Sequence, residues 1–284
     1  MHWDYGFIEV GRYEMNGKIL RLGLIGKDVS KSHSPQIHSY ILKAFGYDCL
    51  YEKLSVSAED FDMAMRRLLG DCDGFNVTIP YKRDVLEYLD EVKGDALACG
   101  AVNTVVCATR AGYNTDGVGF LDMLQANGVE TKGKRILILG AGGAGRSSAV
   151  ALKNAGASVF MYRRNKAELL ETCEQLGVEA ANASEEGGFD IVINSTGVGM
   201  HDTVGVSPVT KKAFAGATWA IDLIYEPAES AFLRIAKSCG LQTLNGEAML
   251  FYQAYHADCV YLQKTPNPLQ AKALYESYTK GERL

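Results

Sequence analysis

Short apolar runs alternate with amphipathic stretches along the whole chain. Residues 18–25 predict a first strand. Ser34-Pro35 predicts a helix start, with serine as N-cap and proline in the first helical position. Residues 48–54 predict a second strand, and Ser57 followed by Asp60 predicts a capped helix running to Leu69. A third strand is expected at 74–79, with Pro80 opening a helix that carries Lys82. Residues 101–108 predict a further strand, turned at Arg110-Ala111-Gly112. A helix over 117–126 then ends at Asn127-Gly128.

After Lys132-Gly133-Lys134 the rhythm restarts more cleanly. Strands are expected at 135–139, 157–162, 190–194 and 218–223, and helices at 145–155 and 166–176. A long helix is expected over 247–262, with a shorter one after Pro268. This alternation implies an α/β fold with a mostly parallel sheet covered by helices on both faces. No internal repeat or low-complexity tract interrupts it.

Composition narrows the picture. The 284 residues suit two modest domains or one large one. A net charge of −5 argues against a nucleic-acid binder, which would show a basic face. No apolar run approaches the ~20 residues needed to span a bilayer. Residues 1–10 carry Asp4 and Glu9 without a basic stretch followed by an apolar one, which predicts no signal peptide. The seven cysteines are odd in number and form no Cys-x-x-Cys pair, as expected of reduced thiols in a cytoplasmic protein. The five histidines lack ligand spacing, so no metal site is expected.

The turn Gly140-Ala141-Gly142-Gly143-Ala144-Gly145 fits Gly-x-Gly-x-x-Gly in the context that gives the pattern meaning, after an apolar strand and at the start of a helix. One glycine permits the tight turn, the next lets backbone approach a pyrophosphate, and the third lets helix and strand pack closely. The helix N-terminus offers free N–H groups and the positive end of its dipole. At the end of the second strand of this half, where an NAD site places an acid, stand Arg163, Arg164 and Asn165, with Lys166 next. The first acid, Glu168, is already inside the helix. Guanidinium groups suit a 2′-phosphate, so NADP(H) is the expected cofactor.

A second set of polar residues lies upstream. Ser30-Lys31-Ser32-His33-Ser34-Pro35 follows the first strand. Gly74-Phe75-Asn76-Val77-Thr78-Ile79-Pro80-Tyr81-Lys82 ends the third. Ala101-Val102-Asn103-Thr104 and Tyr113-Asn114-Thr115-Asp116-Gly117 complete the set. Most fall at or just after strand ends, where ligands sit in open α/β sheets. Hydroxyls and amides suit a polyhydroxylated anion. A lysine beside an aspartate offers a proton donor with a partner to orient it. Each residue also has an ordinary structural role open to it: Ser34 and Asp116 as helix caps, Asn103 at a strand edge. Gln253, on an otherwise apolar helix, is either a solvent-side residue or a buried amide awaiting a ligand.

Taken together these segments resemble the shikimate dehydrogenase family. Ser-x-Ser-Pro followed by Ile37-His38, Gly-Phe-Asn-Val-Thr-Ile-Pro-Tyr-Lys, Gly100-Ala-Val-Asn-Thr and Asn-Thr-Asp-Gly stand in the family's order. So do the glycine turn, Asn194-Ser195-Thr196 with Gly199-Met200, Asp222-Leu223-Ile224-Tyr225 with Pro227, and Met249-Leu250 with Gln253, over residues 19–262. The resemblance implies NADPH-dependent, reversible reduction of 3-dehydroshikimate to shikimate, a step of chorismate and aromatic amino acid biosynthesis. It makes Lys82 and Asp116 the catalytic pair. Ser32 and Ser34 would hold the substrate carboxylate, Thr78, Asn103 and Gln253 the ring hydroxyls, and Tyr225 would line the same site. Thr196 and Gly246 complete the cofactor set. The implied domains are a substrate domain, 1–117 with 250–284, and a Rossmann-like nucleotide domain, 118–249, in a cytoplasmic monomer or homodimer.

The chain departs from the family pattern at Gly26-Lys27-Asp28, at Ser39 after His38, at Arg163, where asparagine is usual, and at Glu247-Ala248. These departures leave quinate, dual quinate/shikimate and aminoshikimate dehydrogenase open as alternatives. A non-catalytic nucleotide sensor is disfavoured by the intact Lys82 and Asp116. A methylenetetrahydrofolate-type dehydrogenase is disfavoured by the Ser-x-Ser-Pro and Asn-Thr-Asp-Gly segments.

Overall fold

The computed structural model describes residues 19–282, so the leading segment expected to hold no signal peptide lies outside the described residues. The chain divides into two compact units. One runs to Gly119 and resumes at Phe251; the other spans Phe120–Leu250.

The first unit is built on β1 (Leu20–Gly26), α1 (Ser34–Ala44), β2 (Cys49–Ser55), α2 (Phe61–Asp71), β3 (Gly74–Val77), β4 (Glu91–Val92), α3 (Asp95–Cys99), β5 (Thr104–Val106), β6 (Ala111–Tyr113) and the first turn of α4 (Asp116–Ala126). Its sheet runs β2-β1-β3-β5-β6-β4. β1 pairs in parallel with both β2 and β3. β5 is antiparallel to β3 and β6, so this sheet is mixed rather than mostly parallel. The cause is local. Arg110, with φ +46°, turns the chain straight back after β5, and only a crossover could have kept the strands parallel. Beneath β1 and β3 lies a core of Ile25, Phe75, Val77, Met65, Leu68 and Val105, all buried.

Three expected elements in this unit differ. The helix expected at Pro80 is absent: residues 79–83 form turns, and a short 3₁₀ helix follows at Asp84–Tyr88. Tyr81 explains this. Its ring is buried against Phe61 (centroids 4.3 Å apart), its hydroxyl donates to the Val56 carbonyl at 2.7 Å, and its N–H turns back to the Thr78 carbonyl. Lys82 therefore sits on a turn held by the Val102 N–H, which donates to the Lys82 carbonyl at 2.8 Å. The strand expected over 101–108 shortens to β5, because the chain enters a 3₁₀ turn at Cys107. Ser34 is the first residue of α1 rather than its cap. Its own N–H donates to the Ser32 hydroxyl at 3.2 Å.

The second unit contains β7 (Arg135–Leu139), α5 (Gly143–Asn154), β8 (Ser158–Tyr162), α6 (Lys166–Leu176), β9 (Glu179–Ala180), β10 (Ile191–Asn194), β11 (Trp219–Asp222), α7 (Ala231–Ser238) and β12 (Gln242–Leu244). α8 (Glu247–Tyr261) then leads back to the first unit, which ends with α9 (Pro268–Thr279). The second sheet is wholly parallel and runs β9-β8-β7-β10-β11-β12. The chain winds outward from β7 in one direction and from β10 in the other. This is the doubly wound Rossmann order, with its switch point between β7 and β10. The central strands β7 and β10 are nearly continuous apolar, buried runs, as expected where helices cover both faces of a parallel sheet. The sequence patterning does not predict β9, α7 or β12. The α7 start is set by Ser230, whose hydroxyl accepts from the Leu233 N–H.

At the switch point the backbone leaves no room for side chains. A Cβ on Gly145 would lie 2.5 Å from Ser195 Oγ and 2.7 Å from the Gly140 carbonyl oxygen. Gly145→Ala is therefore expected to cost about 1–3 kcal/mol of stability by overpacking. Thermal or urea unfolding measures it, and an unchanged midpoint would contradict the close packing.

Candidate active site and nucleotide turn

In the first unit the sequence-predicted residues converge on Asn103. This residue is buried, at the entrance to β5. Its amide nitrogen donates to Asp116 Oδ1 at 2.9 Å, Thr115 Oγ1 at 3.0 Å and Gln253 Oε1 at 3.3 Å. Its amide oxygen accepts from the Thr115 N–H and the Thr104 hydroxyl, both at 2.9 Å. Asn103 thus ties the start of α4 and the middle of α8 to the end of the sheet.

Lys82 and Asp116 form a direct ion pair, with their side chains 13% and 7% exposed. Nearly buried charges persist only when paired and hydrogen-bonded. Asp116 meets both conditions: one carboxylate oxygen accepts from Lys82 and the other from Asn103. Its N–H donates to Asn114 Oδ1 at 3.0 Å, and Asn114 in turn donates to the Ala101 carbonyl. Gly119 lets α4 approach α8, since a Cβ there would lie 2.5–2.9 Å from Gln253 main-chain and Cβ atoms. Thr78 follows β3, and its methyl group occupies the space beside Gly26. Ser32 and Ser34 form a pair, with oxygens 3.0 Å apart.

Sequence reasoning missed the layer beneath these residues. His38, one turn along α1 from Ser34, meets Asp258 of α8 with Nδ1 2.7 Å from Oδ1, and both side chains are fully buried. Burial pushes the Asp258 carboxyl up to about 6, against a smaller opposing pull from His38. Tyr51 stacks on the His38 ring at 4.8 Å and donates to Asn76 Oδ1 at 2.8 Å. His38 does stand beside the Ser-x-Ser-Pro segment, but its partner lies 220 residues away and no local pattern links them.

In the second unit, Gly140 follows β7 with φ +104°, and α5 begins at Gly143. Apart from its own chain neighbours, no heavy atom lies within 4 Å of where a Gly142 Cβ would stand, so the first turn of α5 is open on that side. Ala141 and Ala144 complete the turn with small side chains. Arg146, directly after the turn, is buried in α5 and donates to Thr172 and Gln175 of α6. Thr196, after β10, donates to Asn194 Oδ1 at 2.6 Å. Asn194 donates to the buried Asp222, which also accepts from Ser230 and the Ile224 N–H. This web fixes the loops after β10 and β11, including half-buried Tyr225, whose hydroxyl pKa is raised by burial and then by Glu226. Gly246 is compressed against the chain after β11, where a Cβ would meet the Leu223 carbonyl oxygen at 2.2 Å. After β8, Arg163 pairs with Glu168, and Asn165 caps α6 by accepting from the Ala167 and Glu168 N–H groups. Arg164 and Lys166 are exposed beside them.

Asp258 generates a pH prediction. Its folded pKa of about 6 exceeds the ordinary 3.8, so the folded protein holds the extra proton between those values. Its contribution to stability is therefore greatest at low pH and is lost as pH rises toward 6. Asp258→Asn removes this dependence. Relative to wild type, the variant is expected to gain on the order of 1–3 kcal/mol between about pH 4 and pH 6. Urea unfolding at several pH values checks this, and parallel stability curves for the two proteins would refute it.

Comparison with known proteins places the chain. A family model described as the shikimate dehydrogenase substrate binding domain matches residues 24–105. Shikimate dehydrogenase (NADP(+)) of Caldanaerobacter subterraneus subsp. tengcongensis is 39% identical over 251 residues, 83% of this chain and 89% of that protein. Shikimate 5-dehydrogenase from Thermus thermophilus, solved in complex with NADP(H) and shikimate, superposes with a TM-score of 0.82 at 33% identity. The match covers 91% of this chain and 99% of that one. The ligand-free 5-ketofructose reductase of Gluconobacter sp. strain CHM43 gives a TM-score of 0.77 at 29% identity, covering 92% and 99%. By sequence and fold, the chain belongs to the shikimate dehydrogenase family.

Proposed function

We propose that the protein reduces 3-dehydroshikimate to shikimate reversibly with NADPH. The observation that carries this reading is the nearly buried Lys82–Asp116 pair fixed by Asn103, on a chain 39% identical to a shikimate dehydrogenase (NADP(+)). On this reading residues 1–117 and 250–284 bind substrate and residues 118–249 bind nucleotide. The second unit suits the dinucleotide. The Gly142 flank is open to a pyrophosphate, the N–H groups of the first turn of α5 face it, and Arg164 and Lys166 offer exposed cations for a 2′-phosphate. Arg163 would add to them by exchanging Glu168 for the phosphate. When bound, NADPH supplies the hydride that the carbonyl carbon receives.

The chain's own residues supply the rest. Lys82 has three N–H donors and gives a proton to the carbonyl oxygen as it becomes an alkoxide. Asp116 holds the ammonium in place, and Asn103 holds Asp116. Ser32 and Ser34 take the carboxylate. Thr78, Asn103 and Gln253 take ring hydroxyls. No described helix is long and apolar enough to cross a membrane. We place the enzyme in the cytoplasm, where its seven free cysteines would stay reduced, as a monomer or homodimer.

Steady-state assays of shikimate and quinate oxidation with NADP and NAD test the reading. The expected outcome is a higher kcat/KM for shikimate than for quinate, and for NADP over NAD by about tenfold or more, the value of one or two charge-assisted bonds to a 2′-phosphate. Greater turnover of quinate, or of 5-ketofructose with NADPH, would replace shikimate as the substrate. Lys82→Ala is expected to lower kcat by about 10²–10⁴-fold with little change in shikimate KM. An unchanged kcat removes Lys82 from the reaction.

A further inference from the structure

The serine pair and the lysine–aspartate pair stand at the two ends of one run of polar contacts, with Tyr51 at its middle. Ser32 Oγ donates to Ser34 Oγ at 3.0 Å. The Ser34 side chain in turn lies close enough to the Tyr51 hydroxyl to interact with it. Burial, then the Asp258 and Cys49 charges, raise the pKa of that hydroxyl well above its ordinary value, and the Ser34 contact opposes them. The Tyr51 hydroxyl donates to Asn76 Oδ1 at 2.8 Å. The Asn76 amide donates to the Asn103 carbonyl and to Thr104 Oγ1, both at 3.2 Å. Thr104 donates to Asn103 Oδ1, and Asn103 donates to the Asp116 carboxylate that holds Lys82. From Tyr51 onward every donor points the same way, toward that carboxylate. In such a run each bond polarises the next, and a break in the middle loosens both ends.

The middle is also where the run is clamped. The Tyr51 ring lies on the His38 ring at an interplanar angle of 21°. His38 is fixed by fully buried Asp258, which sits on the same helix as Gln253. A side chain held this way presents its hydroxyl at one place.

We infer that Tyr51 is a positioning residue for the substrate site. Its hydroxyl orients Ser32 and Ser34 on one side and the Asn76–Asn103 pair on the other, and so sets affinity for the anionic, hydroxylated substrate without touching the reacting atoms. The inference rests on the substrate-site reading given above.

The test compares steady-state shikimate oxidation by the wild type, Tyr51→Phe, Asn76→Ala, Ser34→Ala and the Tyr51→Phe/Ser34→Ala double variant. Tyr51→Phe keeps the ring and its stack and removes only the hydroxyl. It is expected to raise the KM for shikimate about tenfold, the size of one lost buried hydrogen bond, with kcat within about threefold and the KM for NADP unchanged. Asn76→Ala cuts the next link and is expected to raise the same KM. The double variant is expected to lie within about twofold of the more impaired single variant, since both break one run. A purely structural role would reduce the folded fraction, lowering kcat at constant KM. An unchanged shikimate KM in both Tyr51→Phe and Asn76→Ala, or effects of Tyr51→Phe and Ser34→Ala that multiply, overturns the inference. A wild type inactive on shikimate overturns the proposed function, and this inference with it; an active wild type with indifferent variants overturns the inference alone.

Discussion

Asn103 is the constraint on which the first unit's polar cluster depends. A carboxamide has two N–H bonds and two acceptor lone pairs, and in a buried position each must find a partner. Asn103 finds them in three different segments: Thr104 beside it, Thr115 and Asp116 at the start of α4, and Gln253 in α8. Its main chain is engaged as well, donating to the Tyr113 carbonyl and accepting from the Val77 N–H. One side chain therefore sets the distance between a strand end, a helix N-terminus and a helix middle. An aspartate here would set two carboxylates against each other, and a leucine would leave Asp116, Thr115 and Gln253 short of a donor. The Lys82–Asp116 pair is a consequence of this arrangement, because Asp116 is immobilised whether or not Lys82 reaches it.

The second unit solves a different problem with backbone instead of amides. Between β7 and β10 the chain diverges to opposite halves of the sheet, leaving a crevice at the carboxyl ends of both strands. Glycine at 140 and 145 lets the turn, α5 and the Ser195 hydroxyl pack together, and Ser195 donates to the Leu139 and Gly140 carbonyls. The helix N-terminus is thus held at the crevice with its N–H groups outward. Buried Asp222 does the equivalent work on the neighbouring loops. It takes three donors, and these oppose the rise in its pKa that burial imposes.

These two solutions explain what is legible in the sequence. The second unit reads almost element by element, because its central strands are largely apolar and its turn has a glycine code: β7 and α6 match their expected bounds to the residue. β9, α7 and β12 escape as short elements. In the first unit the polar residues at strand ends stand out, and the structure brings Lys82, Asp116, Asn103 and Gln253 into one cluster. What fails there fails for a tertiary reason. Pro80 carries a helix-start signal, but burying the Tyr81 ring against Phe61 outweighs a local preference worth at most about 1 kcal/mol. The Tyr51, His38 and Asp258 layer is invisible because its partners come from α1, β2 and α8, and pairing across 220 residues leaves no periodic trace.

The same division bears on specificity. A lysine–aspartate pair can protonate the oxygen of any ketone presented to it, so the pair by itself does not choose a substrate. On the proposed function, selection falls to the hydroxyls and amides around it. A substrate lacking an expected hydroxyl leaves a buried polar group unpaired, a penalty that discriminates far more strongly than a missing methylene in an apolar pocket. The likeness to a 5-ketofructose reductase is consistent with this logic, since one fold there serves a protein named for a different ketone. On that reading the residues that would select substrate are interdependent: Asn76 and Asn103 are hydrogen-bonded to one another and Asn76 to Tyr51, which Ser34 also contacts. If Tyr51 positions the site as inferred, a substitution at any of them alters the orientation of the others, and substrate preference shifts as a property of the whole run and not of a single contact.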